Sequence, residues 1–177
     1  MIIKKTKFKG LLIIKQKNNK DNRGNLRETF NDKLLKKKFI FEYCTTSKKN
    51  VFRGFHFQTK NKQAKYVNVL KGKIMDIVID LRKKSKTFGK TFSIILSQHN
   101  AIGIFIPAGF AHAYYSYDEE NIIYYKLNNY YNPKFESGIL YKDPDLKFKI
   151  PSRKMIISKK DKELMSMQQF KKKINFL

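Results

Sequence analysis

At 177 residues and 21.1 kDa, the chain has the size of one domain with a substantial core of its own. No run approaches the roughly 20 apolar residues of a membrane helix, and Met1 to Gly10 mixes lysines with its apolar residues; this reads as a cytoplasmic protein without a membrane partner. A single cysteine, Cys44, excludes an intramolecular disulfide and any CxxC metal site, while the net charge of +25 invites a polyanionic partner.

That charge is a weak sign of nucleic-acid binding. Lysine supplies 34 of the 39 basic residues and is spread along the whole chain, whereas groove readers rely on arginine for bidentate base contacts. No specific nucleic-acid partner is expected, although such a surface will attract phosphates.

Read in chain order, the turn-like Asp21-Asn22-Arg23-Gly24 precedes a stretch with helical character, Asn31 to Lys38. Short apolar runs of β character follow, at Tyr66–Leu70, Ile74–Leu81, Phe92–Leu96, Gly103–Ile106 and Asn121–Leu127, with Gly72, Gly89 and Gly109 as turns between them. Ile77, Ile79 and Leu81 alternate with Asp76, Val78 and Asp80, which predicts a strand with one wetter face. A second helical stretch begins at Lys159. The reading is one all-β domain over 1–177, an antiparallel sandwich or barrel. Residues 1–50 supply strands and a helix, 51–150 the barrel, and 151–177 a C-terminal segment.

Three constellations could carry chemistry. In Arg53-Gly54-Phe55-His56-Phe57-Gln58, strand alternation turns Gly54 and His56 away from Arg53, Phe55 and Phe57, and the glycine leaves space beside a histidine that titrates near neutral pH. An isolated histidine is more often a satisfied core residue; company changes that. Pro107-Ala108-Gly109-Phe110-Ala111-His112 resembles the second cupin motif, PxGxxH, whose histidine points into a jelly-roll barrel. Metal is not expected: His56 is followed by Phe57 and Gln58 rather than a second histidine, and His99 lies in a polar turn. In Tyr124-Tyr125-Lys126 and Tyr130-Tyr131-Asn132-Pro133, crowded aromatics suggest packing for Tyr124 or Tyr130, yet a buried phenol is also a competent proton donor.

Taken together, Val51 to Gln58, Gln63-Ala64-Lys65, Asp80-Leu81-Arg82, Ser85-x-Thr87-Phe88-Gly89, Ile106 to His112, Tyr125-Lys126 and Tyr130-Tyr131-x-Pro133 resemble the dTDP-4-dehydrorhamnose 3,5-epimerases in order and spacing. Asp21-x-Arg23-Gly24 with Glu28, Asp143-Pro144, and Ser158 to Asp161 extend the likeness over nearly the whole chain. The resemblance implies a cupin-type antiparallel jelly roll with a few short peripheral helices. It also implies epimerisation at C3 and C5 of a nucleotide-linked 4-keto-6-deoxy sugar, with no cofactor and as a homodimer that exchanges N-terminal strands. By the same resemblance His56 is general base, Tyr125 general acid, and Asp161 the partner that orients His56. Lys65 faces the keto oxygen, Arg53 and His112 line the pocket, and Tyr131 stacks on the substrate. Arg23 and Glu28 bind nucleotide from a neighbouring subunit, and Glu136 and Lys160 fill further binding positions.

The chain departs from the family pattern around the nucleotide. Phe41 and Tyr43 stand where a Gln-x-Asn pair is usual, Asn68 replaces an arginine, and Leu26 replaces a phenylalanine. A dTDP-linked substrate is therefore an expectation, and a single-carbon epimerase on a related keto sugar is the alternative within the enzyme class. A basic nucleic-acid-binding β-barrel is the alternative outside it.

Overall fold

The computed structural model describes residues 1–150, 152 and 154–173. Two antiparallel sheets pack face to face. One runs β1 (Ile2–Lys5), β2 (Leu12–Lys15), β10 (Ile102–Ile106), β7 (Lys65–Lys71), β12 (Glu120–Leu127) and β5 (Phe41–Lys48). The other runs β13 (Glu136–Gly138), β6 (Phe52–Gln58), β11 (Phe110–Ser116), β8 (Lys73–Asp80) and β9 (Thr91–Ser97). A separate hairpin joins β3 (Lys17–Asp21) to β4 (Gly24–Glu28). This is the cupin-type jelly roll that the motifs implied.

Each predicted β run falls on a strand, and Gly72, Gly89 and Gly109 take positive φ values of 81°, 73° and 91° in the turns between them. The helices are shorter than expected. In α1 (Asp32–Leu35), the Asn31 side chain accepts a hydrogen bond from the Leu34 N–H, and Lys36 enters the left-handed region at φ 49°, ending the helix. The tail divides into α2 (Lys159–Lys162) and α3 (Met167–Lys173), and its last four residues, 174–177, lie outside the described residues.

Three apolar layers explain the burial. Val67, Val69, Val78, Leu96, Ile104, Ile123 and Leu127 fill the space between the sheets. Phe52, Phe55, Ile77, Ile79, Ala113 and Ile139 pack the outer side of the five-stranded sheet against the C-terminal segment. Tyr66, Phe105 and Leu35 form a smaller layer on the outer side of the six-stranded sheet. Covering both faces of β8 overturns the expectation of a wetter side: Asp76 and Asp80 are 1% and 0% exposed. Buried carboxylates require partners, and here Asp76 takes His112 while Asp80 takes Arg82, Ser85 and Thr87.

The N-terminal strands are engaged within the chain, with β2 paired on one side to β1 and on the other to β10. The edge left to a partner at that end of the sheet is therefore that of β1. Among the described residues, no helix is long and apolar enough to cross a membrane.

Candidate active site

His56 sits on β6 directly opposite His112 of β11, so both imidazoles belong to one face of the five-stranded sheet. Simple alternation fails upstream of them. The pairing of β6 with β11 shifts register between His112 and Tyr114, and Arg53 sends its Nε–H to Ser47 Oγ, which in turn bonds Tyr114 Oη, a residue of the layer between the sheets. Phe52, Phe55 and Phe57 all face the C-terminal segment instead. The expected grouping of Arg53 with Phe55 and Phe57 is thus corrected: Arg53 leaves the side that the two phenylalanines occupy.

Gly54 serves close packing rather than open space. A Cβ there would lie 2.4 Å from Ala113 Cβ and 2.7 Å from the His112 carbonyl oxygen, at φ +128°. The room that the sequence placed beside His56 is occupied by the backbone of β11.

Asp161 reaches this strand from α2, where Ser158 caps the helix by accepting the Asp161 N–H at 3.1 Å. Its Oδ1 lies 2.7 Å from His56 Nε2, and its Oδ2 accepts the Gly54 N–H at 3.1 Å. Burial acts to raise the Asp161 pKa, but the hydrogen bond and charge of His56, with Gly54 and Ser158, outweigh it and hold the carboxyl below its ordinary value. An ionised carboxylate only accepts, so Nε2 carries the hydrogen and Nδ1 of neutral His56 is left with its lone pair.

Tyr125 projects from β12 in the opposite sheet and is 3% exposed. Its ring centroid stands 6.0 Å from that of His112 in an edge-on arrangement. Burial, followed by the neighbouring Tyr114, Tyr43 and Asp76, raises its pKa well above that of a free phenol, keeping the hydroxyl protonated. His112 is fixed in turn by Asp76, whose Oδ2 is 2.7 Å from its Nε2.

Lys65, at the start of β7, is half-buried, and desolvation pulls its amine down to about 8 against the attraction of Glu136 and Asp76. It lines a cavity of about 260 Å³ together with Gln58, Gln63, Arg82 and Phe110. His56 lines a different opening, a cleft of about 430 Å³ shared with Arg53, Lys160 and Asp161. Glu136 links the two, because its charge acts on both His56 and Lys65. Its carboxylate also accepts from Lys160 Nζ and, at 2.7 Å, from Tyr131 Oη. Burial opposes ionisation of Glu136, and the bonds from Lys160 and Tyr131 with the charge of His56 prevail, lowering its pKa.

Nine of the sequence-predicted residues, His56, Asp161, Arg53, His112, Tyr125, Lys65, Glu136, Lys160 and Tyr131, are linked in this way. Arg23 and Glu28 are not. They belong to the β3–β4 segment, where Arg23 pairs with Asp21 and Glu28 accepts from Asn31, while Arg27 ties the hairpin to the Val69 and Gln98 carbonyls. Of the two tyrosines expected to pack, Tyr124 is half-buried, while Tyr130 is 64% exposed with its ring against Phe41. Sequence reading put Asp76 on a wetter face and Tyr43 at a nucleotide position, and missed that Asp76 binds His112 and Tyr43 stacks on Tyr125. A carboxylate in the middle of the apolar run of β8, and the alternation of Phe41, Tyr43, Thr45 and Ser47 along β5, were the signals available.

A jelly roll with an imidazole–carboxylate pair on one sheet and a buried phenol on the facing sheet places the protein among the cupins. The family model of dTDP-4-dehydrorhamnose 3,5-epimerase matches residues 5–169, and the chain belongs to that family. A curated member from Methanothermobacter thermautotrophicus is 36% identical over 173 residues, covering 93% of this chain and 94% of the relative. Among solved structures, the enzyme of Legionella pneumophila in complex with dTDP-4-keto-L-rhamnose is 34% identical with a TM-score of 0.90, covering 94% of this chain and 93% of that one. The Bacillus anthracis epimerase with TDP and pyrophosphate bound is 31% identical, also at 0.90, covering 94% and 99%.

Proposed function

We propose that this chain converts dTDP-4-dehydro-6-deoxy-D-glucose to dTDP-4-dehydro-L-rhamnose, inverting C3 and C5 by proton transfer between His56 and Tyr125. The observation that carries this reading is their placement: Tyr125 faces the sheet bearing His56 and His112 from across the barrel. Inversion next to a ketone requires removal of a proton from one face of the carbon and delivery to the other, which a single base does poorly.

In this reading the Nδ1 of His56 takes the proton, the C–H electron pair moves to the keto oxygen as an enolate, and Tyr125 Oη protonates the opposite face as the carbonyl re-forms. Asp161 stabilises the imidazolium. Lys65 places a cation by the enolate oxygen, in a partly dehydrated setting where charge is worth more than in water. Arg53 and Lys160 border the cleft beside His56, suited to the two phosphates, and Tyr131 offers a ring to the base.

Arg23 and Glu28 are remote from the cluster and Arg23 is 85% exposed at its side chain, which favours their use on the nucleotide of a neighbouring subunit in a homodimer. Sedimentation showing a fully active monomer would remove that part of the proposal.

The test is NMR of the sugar in D₂O. Deuterium at both carbons with inversion supports the double epimerase, and label at one carbon alone supports the single-carbon alternative. His56→Ala and Tyr125→Phe should each lower kcat by about 10² to 10⁴ with the fold intact. Ordinary rates in either variant would overturn the roles.

A further inference from the structure

Tyr125 and Tyr43 are directly opposed residues of the paired strands β12 and β5. Their rings stack at 4.7 Å between centroids with 21° between planes. On its other flank, β7 presents Val67 opposite Tyr125, an aliphatic side chain. Among the described residues, Tyr43 alone lies flat on the Tyr125 ring; His112 meets it edge-on.

This matters because the ring torsion of a tyrosine is broad and carries little intrinsic preference. The plane of Tyr125 is set by what packs against it, and its hydroxyl, which also has a hydrogen-bond partner in Thr45, turns with that plane. Tyr43 is held in turn by Phe41, two residues along the same face of β5, at 5.8 Å. Phe41 contacts Tyr130 at 5.9 Å, so a row of four rings runs from the buried phenol to the exposed Tyr130. The hydroxyl of Tyr43 is itself pushed up to about 12, chiefly by burial, and stays protonated. It neither adds a charge to the cavity nor competes as a base.

The geometry points to Tyr43 as a positioning residue for Tyr125: its stacked ring aims the acid at the carbon, so that the proton returns to the face opposite His56. The inference rests on the proposed epimerase reading and deepens it. Its signature is separate from loss of activity. When the acid is poorly aimed, His56 still removes a proton, and its imidazolium, after exchange with D₂O, returns deuterium to the face it came from. The C–H bond is replaced by C–D with no net inversion.

The experiment compares wild type, Tyr43→Leu and Tyr43→Phe in D₂O on dTDP-4-keto-6-deoxyglucose, reading exchange and inversion separately by NMR. Wild type must first show both; if it shows neither, the epimerase reading fails and the positioning role is left without a reaction. Tyr43→Leu should raise the ratio of exchange to inversion by about ten-fold or more, with the loss in kcat and little change in KM. Tyr43→Phe, which keeps the stack, should retain the wild-type ratio. The ratio is a property of each folded, active molecule, so partial unfolding of a variant leaves it unmoved. An unchanged ratio in Tyr43→Leu overturns the inference, and so does a Tyr43→Phe variant as uncoupled as Tyr43→Leu.

Discussion

Asp161 and His56 are 105 positions apart in the chain and 2.7 Å apart in space. The same carboxylate accepts the Gly54 N–H, so it is anchored to the strand it serves. Asp161→Asn keeps the shape but removes the charge that favours an imidazolium. We expect kcat/KM to fall by about 10² to 10³ with unaltered circular dichroism. A loss below about five-fold in steady-state assays would show that His56 needs no such partner.

Lys65 couples activity and stability in opposite directions. Its amine titrates near 8, below the ordinary 10.5, because burial disfavours the cation. As pH rises through about 8 the cation is lost and turnover should decline, as read from a pH–rate profile. Between about 8 and 10.5 the unfolded chain binds more protons at this site than the folded one, so this contribution makes stability rise with pH across that window. Lys65→Met should accordingly abolish turnover while raising the unfolding free energy by on the order of 1 to 3 kcal/mol at neutral pH. Denaturant titration would expose the error if the variant were less stable.

Gly54→Ala should be severely destabilising. The added methyl meets Ala113 Cβ at 2.4 Å and the backbone is at φ +128°, where a side chain is strained regardless of space. A cost of about 3 kcal/mol or more is expected by chemical denaturation. A variant as stable as wild type would mean that β6 and β11 separate more easily than their contact suggests.

Asp80 touches neither proton carrier and acts through Arg82, which it holds at the cavity that Lys65 lines. It is fully buried and accepts from Arg82 Nε and Nη2, Ser85 Oγ and Thr87 Oγ1 at 2.6 to 2.8 Å. Burial opposes its ionisation and these donors overcome it, so its pKa lies below the ordinary value. Its contribution to stability is present above the unfolded pKa near 3.8 and is lost as pH falls through the lower folded value. Asp80→Ala strands those donors and should cost about 3 to 5 kcal/mol, lowering Tm by roughly 10 °C, with KM near wild type at low temperature.

How far the sequence reveals this arrangement depends on the kind of signal. The strands bounded by Gly72, Gly89 and Gly109 were legible because apolar runs meet turns there. The strands β1, β3 and β5 were harder to read: lysine and asparagine interrupt them, and β5 alternates aromatic with polar residues on an edge where one side faces solvent. The site residues were legible through motif resemblance, since nothing local in Ser158-Lys159-Lys160-Asp161 says that its carboxylate will meet a histidine on a strand 105 positions earlier. Departures from alternation in β6 were invisible for the same reason, as they arise from the register of β11, a distant strand.

The unequal anchorage of Tyr125 and of Asp161, the partner of His56, sets an order of failure on warming. Tyr125 rides on β12, hydrogen-bonded on both sides by β5 and β7, and loses its place only when the barrel itself opens. Asp161 rides on a four-residue helix in the C-terminal segment, whose ties there include single bridges such as Val51 to Ile156 and Ile139 to Met165. Short peripheral elements of that kind detach at lower free energy than central strands. Catalytic competence should therefore melt away ahead of the β-sheet signal, leaving a transient species that keeps its tertiary scaffold and has an idle histidine.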